Sequence, residues 1–240
     1  TASAAEISDA RMKSAGDDSA NWILHGRDYA NQRFSPLDQI TAANVGKLVP
    51  KWIFQTGIVG TFQTTPLVAD GVMFISTPMS NVVAIDAATG KQKWRYDHKR
   101  AAGKLCCGPA NRGVSLGHGK VFIATVDAHL IALDQQTGNK SWDIALVSDQ
   151  VKTEDRAVLQ DTDPRAQDSV SGSTGVGTVA APLVYEGKVI IGITGVGYGM
   201  HFEDAVKKGQ LTAVVGIAGK YGQPGFMAAF DAQTGAEQWR

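Results

Sequence analysis

The sequence predicts an all-β protein of the β-propeller class, and three observations carry that expectation. The pattern A-x-D-x-x-T-G-x-x-x-W occurs three times, over residues 84–94, 132–142 and 229–239. Each copy follows an apolar run with a turn glycine, Gly71, Gly119 or Gly187. The composition is globular but glycine-rich, with 27 glycines among 240 residues, 43% hydrophobic and 19% charged, which favours turns and strands over long helices.

Each unit reads as strand, tight turn, strand, a third strand ending Ala-x-Asp, a Thr-Gly turn and a last strand carrying Trp. Four short antiparallel strands with a signature Trp describe one propeller blade. The Asp can hydrogen-bond into its own turn, the Gly supplies positive φ, and the Trp wedges against the neighbouring blade.

From turn glycine to Trp the first two units span 23 residues and the third spans 52, so the third carries 29 extra residues, centred on 201–224. Gly119 and Gly187 lie 68 residues apart, against 48 between Gly71 and Gly119; this second excess falls in 147–177. That stretch begins charged (Lys152-Thr153-Glu154-Asp155-Arg156) and ends rich in Ser and Gly. Long loops on a regular scaffold are functional or disordered. The stretch 147–177 is expected to cover a rim, and 202–208 to form one or two helical turns.

Ahead of the repeat, residues 21–35 lead into 40–48, where Thr41 can cap a short helix. Residues 51–57, which carry Trp52, read as the closing strand of an incomplete blade. The expected organisation is one propeller domain: an N-terminal segment and partial blade at 1–57, and blades at 58–94, 95–142 and 143–240. The last blade holds long insertions at 147–177 and 200–224. Propellers close with about 4–8 blades, so the chain is expected to be about the first half of a larger protein.

Lys plus Arg and Asp plus Glu are both 23, so nothing calls for nucleic acid or an anionic membrane as partner. No apolar run approaches the ~18 residues that span a bilayer. The small, polar start (Thr1-Ala2-Ser3) is not a signal peptide and fits a mature chain trimmed after export.

The chemistry-bearing stretch is Leu105-Cys106-Cys107-Gly108-Pro109-Ala110-Asn111-Arg112-Gly113. It contains both cysteines of the sequence, side by side. Oxidised, an adjacent pair closes an eight-membered ring with a strained peptide bond and stiffens the backbone. Reduced, it is two buried thiols in a strand or loop, and the residues alone leave both readings open. Arg112 follows Cys107 by five positions. A flat sulfur face beside a guanidinium suits a planar, anionic ligand.

Other motifs carry less. Gly113-Val114-Ser115-Leu116-Gly117 fits G-x-S-x-G, but it opens a strand instead of forming a strand-to-helix elbow. Gly175-Val176-Gly177-Thr178-Val179-Ala180 fits G-x-G-x-x-A and precedes a strand, not a helix. His25, His98, His118, His129 and His201 lack metal-ligand spacing, with His118 and His129 read as turn or edge residues. No C-x-x-C-H haem motif occurs.

The run W-x-x-x-G-R-D-Y-x-x-Q-R-F-S-P-L from Trp22 to Leu37, the Trp-ending repeats and Cys-Cys followed by Asn-Arg-Gly together resemble the quinoprotein alcohol dehydrogenases. Nearly the whole chain shares the likeness. The resemblance implies an eight-bladed periplasmic propeller with pyrroloquinoline quinone (PQQ) in its central funnel beside a calcium or lanthanide ion. It implies a vicinal Cys106–Cys107 disulfide lying on the quinone plane and Arg112 pairing with cofactor oxygens. The implied reaction oxidises an alcohol to an aldehyde, with electrons passed to a cytochrome c-type acceptor.

The sequence also departs from the family pattern. A Glu expected three residues before Pro66 is Gln63, and a Thr expected three before Pro182 is Val179, with Thr178 next to it. The family's metal-binding Glu in G-x-E-[YFL]-G is replaced by Gly197, while Thr194 keeps the Ser/Thr three residues earlier. A hard cation wants carboxylate oxygens, and Glu203 and Asp204 are the nearest candidates. The resemblance places the catalytic Asp and the tryptophan floor beyond residue 240. This chain would therefore supply one wall, of Cys106, Cys107, Arg112, Gln63, Thr194 and Thr178, to be completed by the remainder of the propeller. The alternative is a non-enzymatic propeller scaffold of the same ancestry, whose cofactor site has degenerated at Gln63, Val179 and Gly197.

Overall fold

A computed structural model describes residues 6–99, 110–146, 177–193 and 225–240. The expected helical turns at 202–208 and the rim cover at 147–176 lie outside the described residues. Among the described residues, twelve strands form three four-stranded antiparallel sheets, each in simple sequence order. The first blade holds β1 (Leu67–Ala69), β2 (Val72–Thr77), β3 (Asn81–Asp86) and β4 (Gln92–Tyr96). The second holds β5 (Ser115–Gly117), β6 (Lys120–Ala124), β7 (His129–Asp134) and β8 (Lys140–Ala145). The third holds β9 (Leu183–Tyr185), β10 (Lys188–Ile193), β11 (Phe226–Asp231) and β12 (Glu237–Trp239). This is the partial all-β propeller that the repeats predict.

A strand covered on both faces loses the alternation of a half-exposed one. In β3, Val82, Val83, Ala84 and Ile85 are all buried, and in β7 so are Leu130, Ile131, Ala132 and Leu133. Blade stacking therefore explains the continuous apolar runs. Phe74 and Phe122 lie against the tryptophans of their own blades, with ring centroids 5.9 Å from Trp94 and 5.7 Å from Trp142.

The turn motif works as its residue types require. Asp86 Oδ1 accepts from the Thr89 N–H at 2.8 Å and its hydroxyl at 2.7 Å, and Asp134 and Asp231 repeat the arrangement on Thr137 and Thr234. The adjacent glycines Gly90, Gly138 and Gly235 take φ of 72°, 74° and 75°. Over each glycine lies the tryptophan of the preceding unit. A Cβ on Gly90 would come within 2.6 Å of the Trp52 ring, on Gly138 within 2.5 Å of Trp94, and on Gly235 within 3.1 Å of Trp142. The indole N–H groups of Trp52, Trp94 and Trp142 donate to the C=O of Ala87, Gln135 and Ala232 at 3.0, 3.1 and 3.4 Å.

Two expectations fail in the N-terminal region. Residues 51–57 form no strand, because none of the described sheets offers them a neighbouring strand. Trp52 still docks, and Arg95 Nη1 donates to the Thr56 C=O at 2.8 Å, so side chains hold what a ladder does not. Thr41 caps no α-helix: only a 3-10 turn forms at Val45–Lys47, and Asn44 Oδ1 accepts from the Thr41 N–H at 2.7 Å. Gly46 inside the segment disfavours a longer helix.

A short helix, α1 (Asp9–Lys13), does form further upstream, with the Ser8 hydroxyl accepting from the Arg11 N–H. It sits on the tips of all three inner hairpins. Those tips pair a non-glycine residue at positive φ (Asp70 49°, His118 51°, Glu186 47°) with Gly71, Gly119 or Gly187, also at positive φ, as type I′ hairpin turns require. Arg11 pairs with Asp70 through two bonds of 2.9 and 2.7 Å, Asp9 lies 3.3 Å from His118, and Lys13 lies 2.9 Å from Glu186. The Arg11 hydrogen bond holds Asp70 below the usual carboxylate range. Met12, fully buried, points inward between these contacts.

Candidate functional site

The end of the inner strands away from α1 gathers the lead-in segments of the three blades. The Thr65 N–H donates to the Arg112 C=O at 3.1 Å, and the Arg112 N–H donates to the Val179 C=O at 2.9 Å. One main-chain relay therefore crosses all three blades. Gly113, at φ 136°, occupies the closest point of the junction, where a Cβ would meet Thr65 O at 3.4 Å and Ala181 Cβ at 3.7 Å.

Side chains fix the relay from below. The Ser76 N–H and hydroxyl donate to Thr64 Oγ1 at 3.0 and 3.1 Å. Asn111, only 1% exposed, donates from Nδ2 to the Ala124 C=O at 2.9 Å and accepts from the Gly113 N–H at 3.0 Å. The Thr178 N–H donates to the Thr125 C=O at 3.3 Å, and the Thr178 hydroxyl accepts from the Ala180 N–H at 3.1 Å.

Beside the relay lies a cleft of about 480 Å³, with Arg112 and Thr178 as its polar lining and Val179, Ala180, Ile193, Phe226 and Met227 among its apolar lining. The Arg112 guanidinium is exposed to it and has no hydrogen-bond partner among the described residues. A rigid backbone holding a forked cation over an apolar wall is suited to an anion with a flat apolar body.

The predicted residues divide clearly. Arg112, Thr178 and Val179 meet at the cleft. Gln63 lies exposed, two positions before Thr65, and does not line it. Cys106, Cys107, Thr194 and Gly197 lie outside the described residues, as do Glu203 and Asp204. Ser115 of the G-x-S-x-G match sits in β5, in a strand and not an elbow. Among the described residues, no three His, Cys, Asp or Glu side chains are grouped to hold a metal ion.

Two His–Asp contacts near this end carry no sequence signal. His98 Nε2 contacts both carboxylate oxygens of Asp127, at 2.9 and 3.1 Å, with the two side chains only 5% and 7% exposed. Burial pushes Asp127 up, but the hydrogen bond and charge of His98, with the Thr125 hydroxyl, bring it below the ordinary carboxylate range. His129, which opens the inner strand β7 and is neither a turn nor an edge residue, pairs through Nδ1 with Asp143 at 2.7 Å, and Lys140 reaches the same carboxylate at 2.9 Å. Burial again works upward, yet His129 and Lys140 draw Asp143 down to about 2. No spacing rule marks these residues, since the partners come from different strands and blades.

The Asp143 shift sets a pH dependence. A carboxylate held below its unfolded value adds stability that is full above the unfolded pKa and is lost as pH falls through the folded one. The window therefore runs from about pH 4 down to about 2. Because Asp143 is only half-buried, solvent screening discounts the shift, and Asp143→Asn is expected to lower unfolding free energy at pH 7 by about 1 kcal/mol and to flatten the acid limb. Urea unfolding at pH 7, 4 and 2.5 checks this; an acid limb as steep as that of the parent protein would refute it.

A family model described as the glucose/ethanol/alcohol dehydrogenase β-propeller domain, PQQ, matches residues 22–240. The chain belongs to this PQQ-dependent dehydrogenase family. It is 37% identical over 242 residues to quinohemoprotein alcohol dehydrogenase ADH IIB of Pseudomonas putida, covering 99% of this chain and 28% of that protein. It is 36% identical to 1-butanol dehydrogenase (cytochrome c) of Thauera butanivorans over 75% of this chain and 23% of that protein. Among solved structures, quinohemoprotein alcohol dehydrogenase ADHIIG of Pseudomonas putida HK5 superposes with a TM-score of 0.74 at 31% identity. That match covers 98% of this chain and 28% of the other. The chain thus spans less than a third of the length of these relatives.

Proposed function

We propose that this chain forms one wall of the PQQ site of a periplasmic quinoprotein dehydrogenase that oxidises an alcohol to an aldehyde and passes electrons to a cytochrome c-type acceptor. The Arg112 guanidinium over the apolar cleft carries the reading. PQQ is a planar quinone bearing carboxylates, so it fits a forked cation beside an apolar wall. Bound there, it supplies the two-electron acceptor for the alcohol's hydride. The role of this chain is to bind and orient. Arg112 would pair with cofactor oxygens, Thr178 would edge the cleft, and Cys106 and Cys107 would provide a flat face for the ring. Gln63, outside the cleft as described, would add a hydrogen bond without charge, and Thr194 another.

The family's calcium or lanthanide ion finds no carboxylate in this chain at its expected position, where Gly197 stands. The names of the relatives support the alcohol and the cytochrome acceptor.

The test is direct. The full-length protein, purified from its source and denatured, should release PQQ in stoichiometric amount, identified by mass and absorbance. If none is released, and added PQQ does not bind with calcium or a lanthanide present, the chain belongs to a scaffold and the proposal fails.

A further inference from the structure

The tip of the β6–β7 hairpin in the second blade is a junction for three separate stretches of chain. The Ala124 C=O receives the Asn111 side chain, immediately before Arg112. The Thr125 C=O receives the Thr178 N–H, and a Cβ on Gly177 would come within 2.0 Å of Val126 O, so this lead-in lies directly on the turn. The Asp127 carboxylate receives His98, just past the end of the first blade. The His98 N–H in turn donates to Asn81 Oδ1 at 2.9 Å, which ties the first blade's own turn into the junction.

A buried, hydrogen-bonded His–Asp contact adds little net stability, because desolvation offsets attraction; its best-attested role is to specify one arrangement. Here the arrangement in question is the height of residues 124–127, from which Asn111 and Thr178 both hang. Thr125 closes the turn locally: its N–H donates to the His129 C=O and its hydroxyl accepts from the His129 N–H, each at 2.9 Å. Those bonds set the turn's shape. Among the described residues, its hydrogen bonds to the first blade and its exit are those of Asp127 with His98 and a 3.4 Å bond from the Val126 N–H to Ser80 Oγ.

We propose that His98 and Asp127 are positioning residues for the Arg112–Thr178 cleft, acting through the β6–β7 turn. The proposal rests on the reading of that cleft as a PQQ site.

The experiment is a double-mutant cycle on the full-length protein. It measures the PQQ dissociation constant by tryptophan fluorescence for the parent, Asp127→Ala, Arg112→Ala and the double variant. Asp127→Ala is expected to weaken binding about 10-fold in the parent and less than about 3-fold once Arg112 is gone, because the group it positions is then absent. Asp127→Asn, which keeps the hydrogen bond to His98, should recover most of the affinity. Asp70→Ala serves as the control at the opposite end of the sheets: it should lower the unfolding midpoint and leave the dissociation constant unchanged.

Full multiplication of the two losses, parent-like binding by Asp127→Ala, or equal weakening by Asp70→Ala would each overturn the positioning role. If Asp127→Ala does not fold, His98→Gln carries the same cycle. A parent protein that binds no PQQ removes the underlying reading, and this proposal with it. A parent that binds, with Arg112→Ala weakened and Asp127→Ala unaffected, removes the positioning role alone.

Discussion

Arg112→Ala is expected to weaken PQQ binding to the full-length protein by roughly 10–100-fold, as loss of a charge-assisted hydrogen bond predicts. The magnitude follows from the site. The guanidinium is exposed at the cleft and hydrogen-bonds to none of the described residues. Its backbone is fixed on both sides by Thr65 and Val179, so little ordering remains to be done. Arg112→Lys keeps the charge and loses the planar fork, and should fall between the two. Because the backbone bonds are independent of the side chain, thermal unfolding of the apo protein should barely change. Titration of tryptophan fluorescence with PQQ checks the affinity; equal binding by parent and Arg112→Ala would end the assignment of this residue.

The second large effect is on the scaffold. Gly119 and Gly138 have nearly the same backbone conformation, φ 72° and 74°. Around Gly119 nothing lies within 4 Å of a built Cβ, whereas at Gly138 the Trp94 ring lies at 2.5 Å. Gly119→Ala should therefore cost about 1 kcal/mol, the left-handed penalty alone. Gly138→Ala should cost roughly 2–4 kcal/mol, since the indole must also be displaced from its seat and from the Gln135 C=O. Urea unfolding of the two variants side by side measures the difference. Equal losses would mean that tryptophan docking adds nothing to blade cohesion.

The blades were legible because their signals are local. Asp, Thr, Gly and Trp each have one physical task within eleven positions, and those tasks recur. The kink that aims each Trp was not legible. Pairing slips at Ala84/Ile85, Ala132/Leu133 and Ala229/Phe230, leaving Lys93, Ser141 and Gln238 unpaired opposite the third strand. Such bulges turn a strand and re-aim its side chains. They ask nothing of the bulged residue's chemistry, so Lys, Ser and Gln serve equally.

The site divides in the same way. Arg112 and Thr178 stand out beside recognisable motifs, and the cleft does bring them together. Asp127 and His98 are 29 positions apart and look like ordinary surface residues in sequence; only blade stacking buries them. Gln63, named from its place before Pro66, lies exposed and apart from the Arg112–Thr178 cleft. Thr41 failed for a local reason: the side chain that organises its turn belongs to Asn44.

The relay from Thr65 through Arg112 to Val179 has an evolutionary consequence. Its bonds join peptide groups, which are the same whatever side chain they carry. Lineages can therefore exchange Arg112 or Val179 one at a time without losing register between blades. The rim separates inheritance of shape from inheritance of chemistry. A family built this way can drift in what it binds long before it drifts in how it folds.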